Sequence, residues 1–221
     1  MKSTNILEEI SDGKLYDIKD IVKADTNGCK NCNDCCCDVG DLVVLNPFDI
    51  HEITKTLGLN FYELLGNKIE LRNNNKISLP YLKMQKDKRC SFLNKEGRCT
   101  IHSSRPNICR LFPLGRVYQD NDFKYFLQVG NCPKKDLKDI TVEKWIGIEN
   151  YKENKEFILN WHKFIKALTF RLKFIRDEKE LEEINKFILD SFYTISLKEG
   201  EDFYTVFSQI LPKVKDKLGI I

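Results

Sequence analysis

Beyond residue 142 the apolar residues recur at three- and four-residue spacing, the period of helices with one buried face. Val142 to Arg176 reads as one long amphipathic helix carrying Phe157, Ile158, Trp161, Phe164, Ile165, Leu168, Leu172 and Ile175. Asp177 to Tyr193 reads as a second, with Leu181, Ile184, Phe187, Ile188 and Phe192 on one side. Glu201 to Leu218 reads as a third, which Pro212 is expected to bend or divide because proline removes a backbone donor. An aromatic stripe of this kind could line a ligand pocket, but periodicity reports burial, and the reading adopted is plain core. Upstream the pattern shortens. Asp41 to Leu45, Lys76 to Met84 and Phe123 to Val129 read as strands, with Pro80 placing the second at a sheet edge. Asn46-Pro47 opens a helix, with Asn46 as cap and Pro47 in the first turn, and Gly58 is a natural left-handed stop. Asn60 with Glu63 has the spacing of a capping box, so another short helix is expected there. The fold class expected is α+β: a cysteine-rich part of short strands and helices, with a C-terminal helical segment packed on it.

Composition narrows the function classes. A chain of 221 residues with 42% hydrophobic and 31% charged content is that of an ordinary globular protein, large enough to bury a core without disulfides. Net charge is only +3 and the two signs are interleaved, so no basic surface for nucleic acid is expected. Met1 to Asp20 is broken by Glu8, Glu9, Asp12 and Asp17 and lacks the basic start and apolar run of a secretory signal. No stretch reaches the roughly 20 apolar residues that span a bilayer. The expectation is a cytoplasmic protein with no membrane partner, where thiols stay reduced and cysteines bind metal rather than form disulfides.

The nine cysteines carry the candidate chemistry. They stand at 29, 32, 35, 36, 37, 90, 99, 109 and 132, and none follows Cys132. A boundary is therefore expected just beyond it, dividing a cysteine-cluster part, 1–132, from a helical part, 133–221. Cys29, Cys32, Cys35 and Cys36 form a CxxCxxCC run in which spacing of three lets successive thiolates converge on one centre. A ferredoxin is not supported, because Asp38 and Val39 stand where that run would continue with Cys-Pro. Adjacent Cys35 and Cys36 should point apart, so one of them serves a second metal or another part of a cluster. The alternative for Cys36, and the preferred reading for Cys37, is a small buried hydrophobe. Cys90, Cys99, Cys109 and Cys132 are too widely spaced for one knuckle and would bring ligands from separate loops. Eight thiols suffice for two four-ligand centres. Four thiolates around zinc leave a net charge of minus two, which Arg105, Arg110 and Arg116 are placed to offset by donating to sulfur.

Taken in order, Cys29-x2-Cys32-x2-Cys35-Cys36, Cys90-x-Phe92-Leu93, Cys99-x-Ile101, Arg105-Pro106-x2-Cys109-Arg110-x-Phe112-Pro113 and Cys132 make a recognisable signature. It resembles the CxxCxxCC cysteine-cluster family, also called YkgJ-like, of zinc- or iron-chelating proteins. The match runs from about Cys29 to Pro133. The family usually has tyrosine where this chain has His102, which is read as a structural hydrogen-bonder with a nitrogen ligand as the alternative. Its best-understood relatives look like the flagellin lysine methylases, which carry a similar cysteine domain and an iron–sulfur cluster but longer chains.

The leading expectation is a metal-binding module holding an iron–sulfur cluster (4Fe-4S), or zinc or iron ions. The alternative is a metal-dependent enzyme acting on a protein or peptide, although no glycine-rich phosphate loop follows a strand. A third is an interaction protein whose zinc only ties loops together. A redox cysteine pair is disfavoured, because such proteins generally carry a single CxxC.

Overall fold

A computed structural model describes residues 7, 9–26, 32–39 and 42–220. Three antiparallel strand pairs and seven α-helices of four residues or more make up the described regular structure, an α+β fold. Strand β1, Ile21–Asp25, pairs with β6, Lys138–Thr141, so the segment before the cysteine run is bonded to the segment after the last cysteine. Strands β2, Ile69–Asn74, and β3, Ile77–Leu82, form a hairpin in which Leu71 faces Pro80 and Asn74 faces Ile77. Its two-residue turn, Asn75-Lys76, has φ of 52° and 68°, the positive pair that matches the twist of a tight hairpin. Strands β4, Leu114–Gln119, and β5, Asp122–Leu127, form a second hairpin. There Gly115 lies under the Phe126 ring, which a Cβ would meet at 2.3 Å.

Helix α1, Pro47–Leu57, begins where Asn46 accepts from the amide of Asp49 and Asp49 accepts from the amide of Asn46. It ends at Gly58, φ 65°. Helix α2, Phe61–Leu64, opens on the reciprocal Asn60 and Glu63 bonds that the spacing implies. Helix α3, Asn107–Leu111, carries Cys109. Downstream lie α4, Val142–Ile146, α5, Tyr151–Leu172, α6, Glu178–Phe192, and α7, Phe203–Lys217.

Two expectations need correction. The single helix from Val142 to Arg176 is two, because Gly147 adopts φ 59° and ends α4 in a left-handed cap before Tyr151 starts α5. The segment before Leu45 is no strand. Val44 makes only an isolated bridge to Tyr81, with the Leu45 amide donating to Pro80 O at 2.8 Å, and Asp41 lies outside the described residues. Helix α7 runs through Pro212 undivided, with Phe207 and Val214 buried on either side.

One core spans the cysteine-bearing and helical parts. Phe157, Phe164, Phe192 and Phe207 are each 2% exposed or less, and Phe157 meets Phe207 edge-on at 4.7 Å, so the aromatic stripe is core as expected. Polar ties cross the same boundary. The buried Tyr193 hydroxyl donates to Leu45 O at 3.1 Å, and the Asn185 amide brackets β3 by accepting from Ser78 N and donating to Lys76 O.

Candidate metal centre

Backbone hydrogen bonds, more than the spacing of the cysteines, bring the thiols together. The run after residue 32 winds into a 3-10 turn, Asp34–Cys36, in which the Cys36 amide donates to Asn33 O at 2.8 Å. That turn is zipped to a distant segment: Cys90 N donates to Cys36 O at 2.8 Å and Asp38 N to Lys88 O at 2.8 Å. Residues 90–100 then fold back on themselves. Asn94 N donates to Arg98 O, Gly97 N to Asn94 O and Thr100 N to Phe92 O, which sets Cys99 beside Leu93 and close to Cys90. Gly97 supplies the φ of 70° that this reversal requires. Helix α3 brings Cys109, and Cys132 arrives on the connection between β5 and β6.

The outcome is one half-open cavity of about 390 Å³ lined by Cys32, Cys35, Cys36, Cys90, Cys99, Cys109 and Cys132. No disulfide joins the eight described cysteines to one another. Cys29 lies outside the described residues. Cys37 does not line the cavity, and its sulfur instead faces Asn33 O at 3.4 Å. As the side chains stand, no group of three or more Cys, His, Asp or Glu among the described residues is arranged to hold a metal ion.

The three arginines expected to offset thiolate charge differ in placement. Arg105 lines the cavity, its Nε is buried without a partner, and its Nη1 lies 2.7 Å from His102 Nε2. With the guanidinium donating, that ring nitrogen accepts, and His102 is thereby engaged as a hydrogen-bond partner. Arg110 is not among the cavity-lining residues; it donates to Ser103 O at 2.7 Å and Ile146 O at 3.5 Å, tying α3 to its neighbours. Arg116 donates to the Asn107 side chain at 2.7 Å and lies over the Phe123 ring.

The cavity wall sets the protonation of the thiols. Burial pushes Cys90, Cys99 and Cys109 above the usual thiol range. Contrary to the expectation that adjacent Cys35 and Cys36 point apart, Cys36 donates to Cys35; that bond and burial raise Cys36, and accepting it lowers Cys35. A cation in the cavity would favour the thiolate forms that burial disfavours, and no Asp or Glu is among its lining residues. Sequence reading missed two contributors. Trp145 lines the cavity and donates its indole N–H to Leu111 O at 3.0 Å. Asp49, 4% exposed, accepts from the Asn107 amide at 2.7 Å at the start of α3. The only advance sign of Asp49 was its place three residues after a helix cap.

A family model described as "Putative zinc- or iron-chelating domain" matches residues 28–139, half of the chain and every cysteine in it. The chain belongs to the CxxCxxCC family. Its membership supports binding of zinc or iron through the clustered cysteines. The matched residues end within β6, the partner strand of β1, and include all seven cavity thiols. No curated protein and no solved structure matches the chain. Among the described residues, no helix is long and apolar enough to cross a membrane.

Proposed function

We propose that the protein holds an iron–sulfur cluster of the 4Fe-4S kind, or zinc or iron ions, in the cavity that its cysteines line. The observation that carries this reading is the convergence of seven thiols, from four separate stretches of chain, on one cavity. The donor set fits, because soft thiolate ligands select zinc and iron–sulfur clusters. Cys29, Cys32, Cys35, Cys36, Cys90, Cys99, Cys109 and Cys132 are the ligand pool, and more than four thiols leave room for a second centre. When bound, the group supplies the positive charge that keeps thiolates ionised and, for a cluster, one-electron chemistry.

The protein's own residues do the rest. Binding a centre would release the protons of the ligating thiols. Arg105, with its buried Nε unengaged, offsets thiolate charge from the cavity wall. Trp145, Phe92 and Phe112 make much of the wall apolar and limit water around the centre. Residues 1–132 act as the metal-binding part and 133–221 as its helical support, in the cytoplasm, where thiols stay reduced.

Anaerobic purification followed by assay of iron, acid-labile sulfide and zinc per chain tests the proposal. Iron and sulfide in equal amounts support the cluster. A colourless protein with stoichiometric zinc removes it and leaves the zinc reading, and a chain that takes up neither metal refutes both. A second reading, a metal-dependent enzyme that modifies a protein or peptide, draws on the cavity volume of about 390 Å³, which suits a small-molecule ligand. Titration with a methyl donor checks it, and absence of binding counts against it.

A further inference from the structure

We propose that Asp49 is a positioning residue of this centre: its buried carboxylate caps the short helix that presents Cys109. The inference rests on the metal-centre reading and extends it to a residue outside the cysteine pattern.

Helix α3 cannot cap itself. Its N-cap is Pro106, which makes no side-chain cap bond, so the first amides of the helix need an acceptor from elsewhere. Asp49 is that acceptor for Asn107, from 58 positions away and in a buried setting. Its other carboxylate oxygen takes the Asn46 amide at 2.9 Å, completing the capping box of α1. One carboxylate therefore holds the starts of two helices. Asn107 is 5% exposed and is held a second time, by Arg116 Nη2 on its side-chain oxygen.

Two residues further on, Cys109 lines the cavity with Cys36 and Cys90. A five-residue helix has too few internal bonds to keep its own place, so its register against the other thiol-bearing segments depends on this anchor. Backbone donation to an ionised carboxylate is short and strong, which suits it to fixing a ligand-bearing element. Alanine at 49 leaves the buried Asn107 amide and the half-buried Asn46 amide without this acceptor. Asparagine keeps one acceptor and turns an NH2 toward the other amide.

The comparison that isolates this role uses Asp49→Ala, Asp49→Asn and Asn46→Ala. Asn46→Ala removes the α1 cap but leaves the Asp49 bond to Asn107 in place. In the reduced, metal-free chain, hydrogen exchange over residues 105–112 should speed up in Asp49→Ala and stay at the wild-type rate in Asn46→Ala. In the loaded chain, the rate at which a chromophoric chelator removes zinc or iron should rise about 10- to 100-fold in Asp49→Ala. A smaller rise is expected for Asp49→Asn, which also serves if the alanine variant fails to fold. Equal behaviour of Asn46→Ala and Asp49→Ala in both measurements would overturn the proposal, as would unchanged exchange in both Asp49 variants. A wild-type chain that binds no metal refutes the metal-centre reading, and the exchange measurement then still decides whether Asp49 caps α3.

Discussion

Gly97→Ala perturbs the loop that joins Cys90 to Cys99, and its cost follows from two features. Gly97 has φ of +70°, and a Cβ there would meet Asn33 Nδ2 at 2.5 Å and an Arg89 guanidinium nitrogen at 3.4 Å. Placing an L side chain in the left-handed region costs about 1–2 kcal/mol. Stiffening of the unfolded chain by alanine returns roughly 0.4–1 kcal/mol. Asn33 must also swing away and give up its bond to Gly97 O, long at 3.4 Å and worth about 0.5 kcal/mol, the weak end of the range. The net loss is then about 1 kcal/mol, read as a lower urea midpoint with unchanged slope in the reduced, metal-free chain. Because Asn33 directly precedes the turn bearing Cys35 and Cys36, metal retention should fall as well. Asn33→Ala removes the obstructing group, so Gly97→Ala should cost less in that background by a few tenths of a kcal/mol. A Gly97→Ala chain as stable as the wild type would refute the left-handed turn. Strict additivity with Asn33→Ala would refute the close approach.

Four further outcomes test other parts of the structure. Tyr193→Phe leaves Leu45 O buried without its donor and should lower unfolding free energy by about 1–3 kcal/mol in urea titration; no change would mean that this tie contributes nothing. Burial pushes the Asp49 carboxyl up from 3.8 to about 6, against the Asn46 and Asn107 amides that pull it down. The folded chain therefore holds the extra proton between pH 4 and 6, and stability falls as pH rises through that window and levels off above it. At about 1.4 kcal/mol per unit the swing is about 3 kcal/mol; urea midpoints from pH 4 to 7 should show it for the wild type and not for Asp49→Asn, and equal slopes would contradict it. Arg105→Ala should speed chelator removal of metal about 10- to 100-fold, with Arg105→Lys between it and the wild type; an unchanged rate would leave Arg105 without a role. Cys109→Ser should lower metal content per chain while Cys37→Ser leaves it unchanged, and the reverse result would contradict the placement of Cys37 outside the cavity.

Helix ends were the most legible part of the chain. Asn46-Pro47, Gly58 and the Asn60–Glu63 pair act within a single turn, and each formed the cap that its spacing implied. The aromatic stripe was legible for a related reason, since three- and four-residue spacing commits one helix face to burial whatever it packs against. Strands β1, β2, β4 and β6 were missed because polar and charged residues interrupt their apolar pattern and their pairing comes from the rest of the fold. Gly147 was overlooked because hydrophobic periodicity continues across it, whereas its left-handed backbone does not.

By itself the order of residues determined the family, through cysteines and prolines at fixed intervals, and with it the class of chemistry that thiols perform. It also determined most of the helical segments, though not α3 or the break at Gly147, because those signals come from neighbours one turn apart. Tertiary structure alone decided which thiols share a cavity, that Cys37 stays outside it, that Arg110 is occupied by backbone carbonyls, and that Asp49 anchors the Cys109 helix. Those outcomes rest on hydrogen bonds between stretches tens of residues apart, such as Cys90 N to Cys36 O, whose partners no local pattern names.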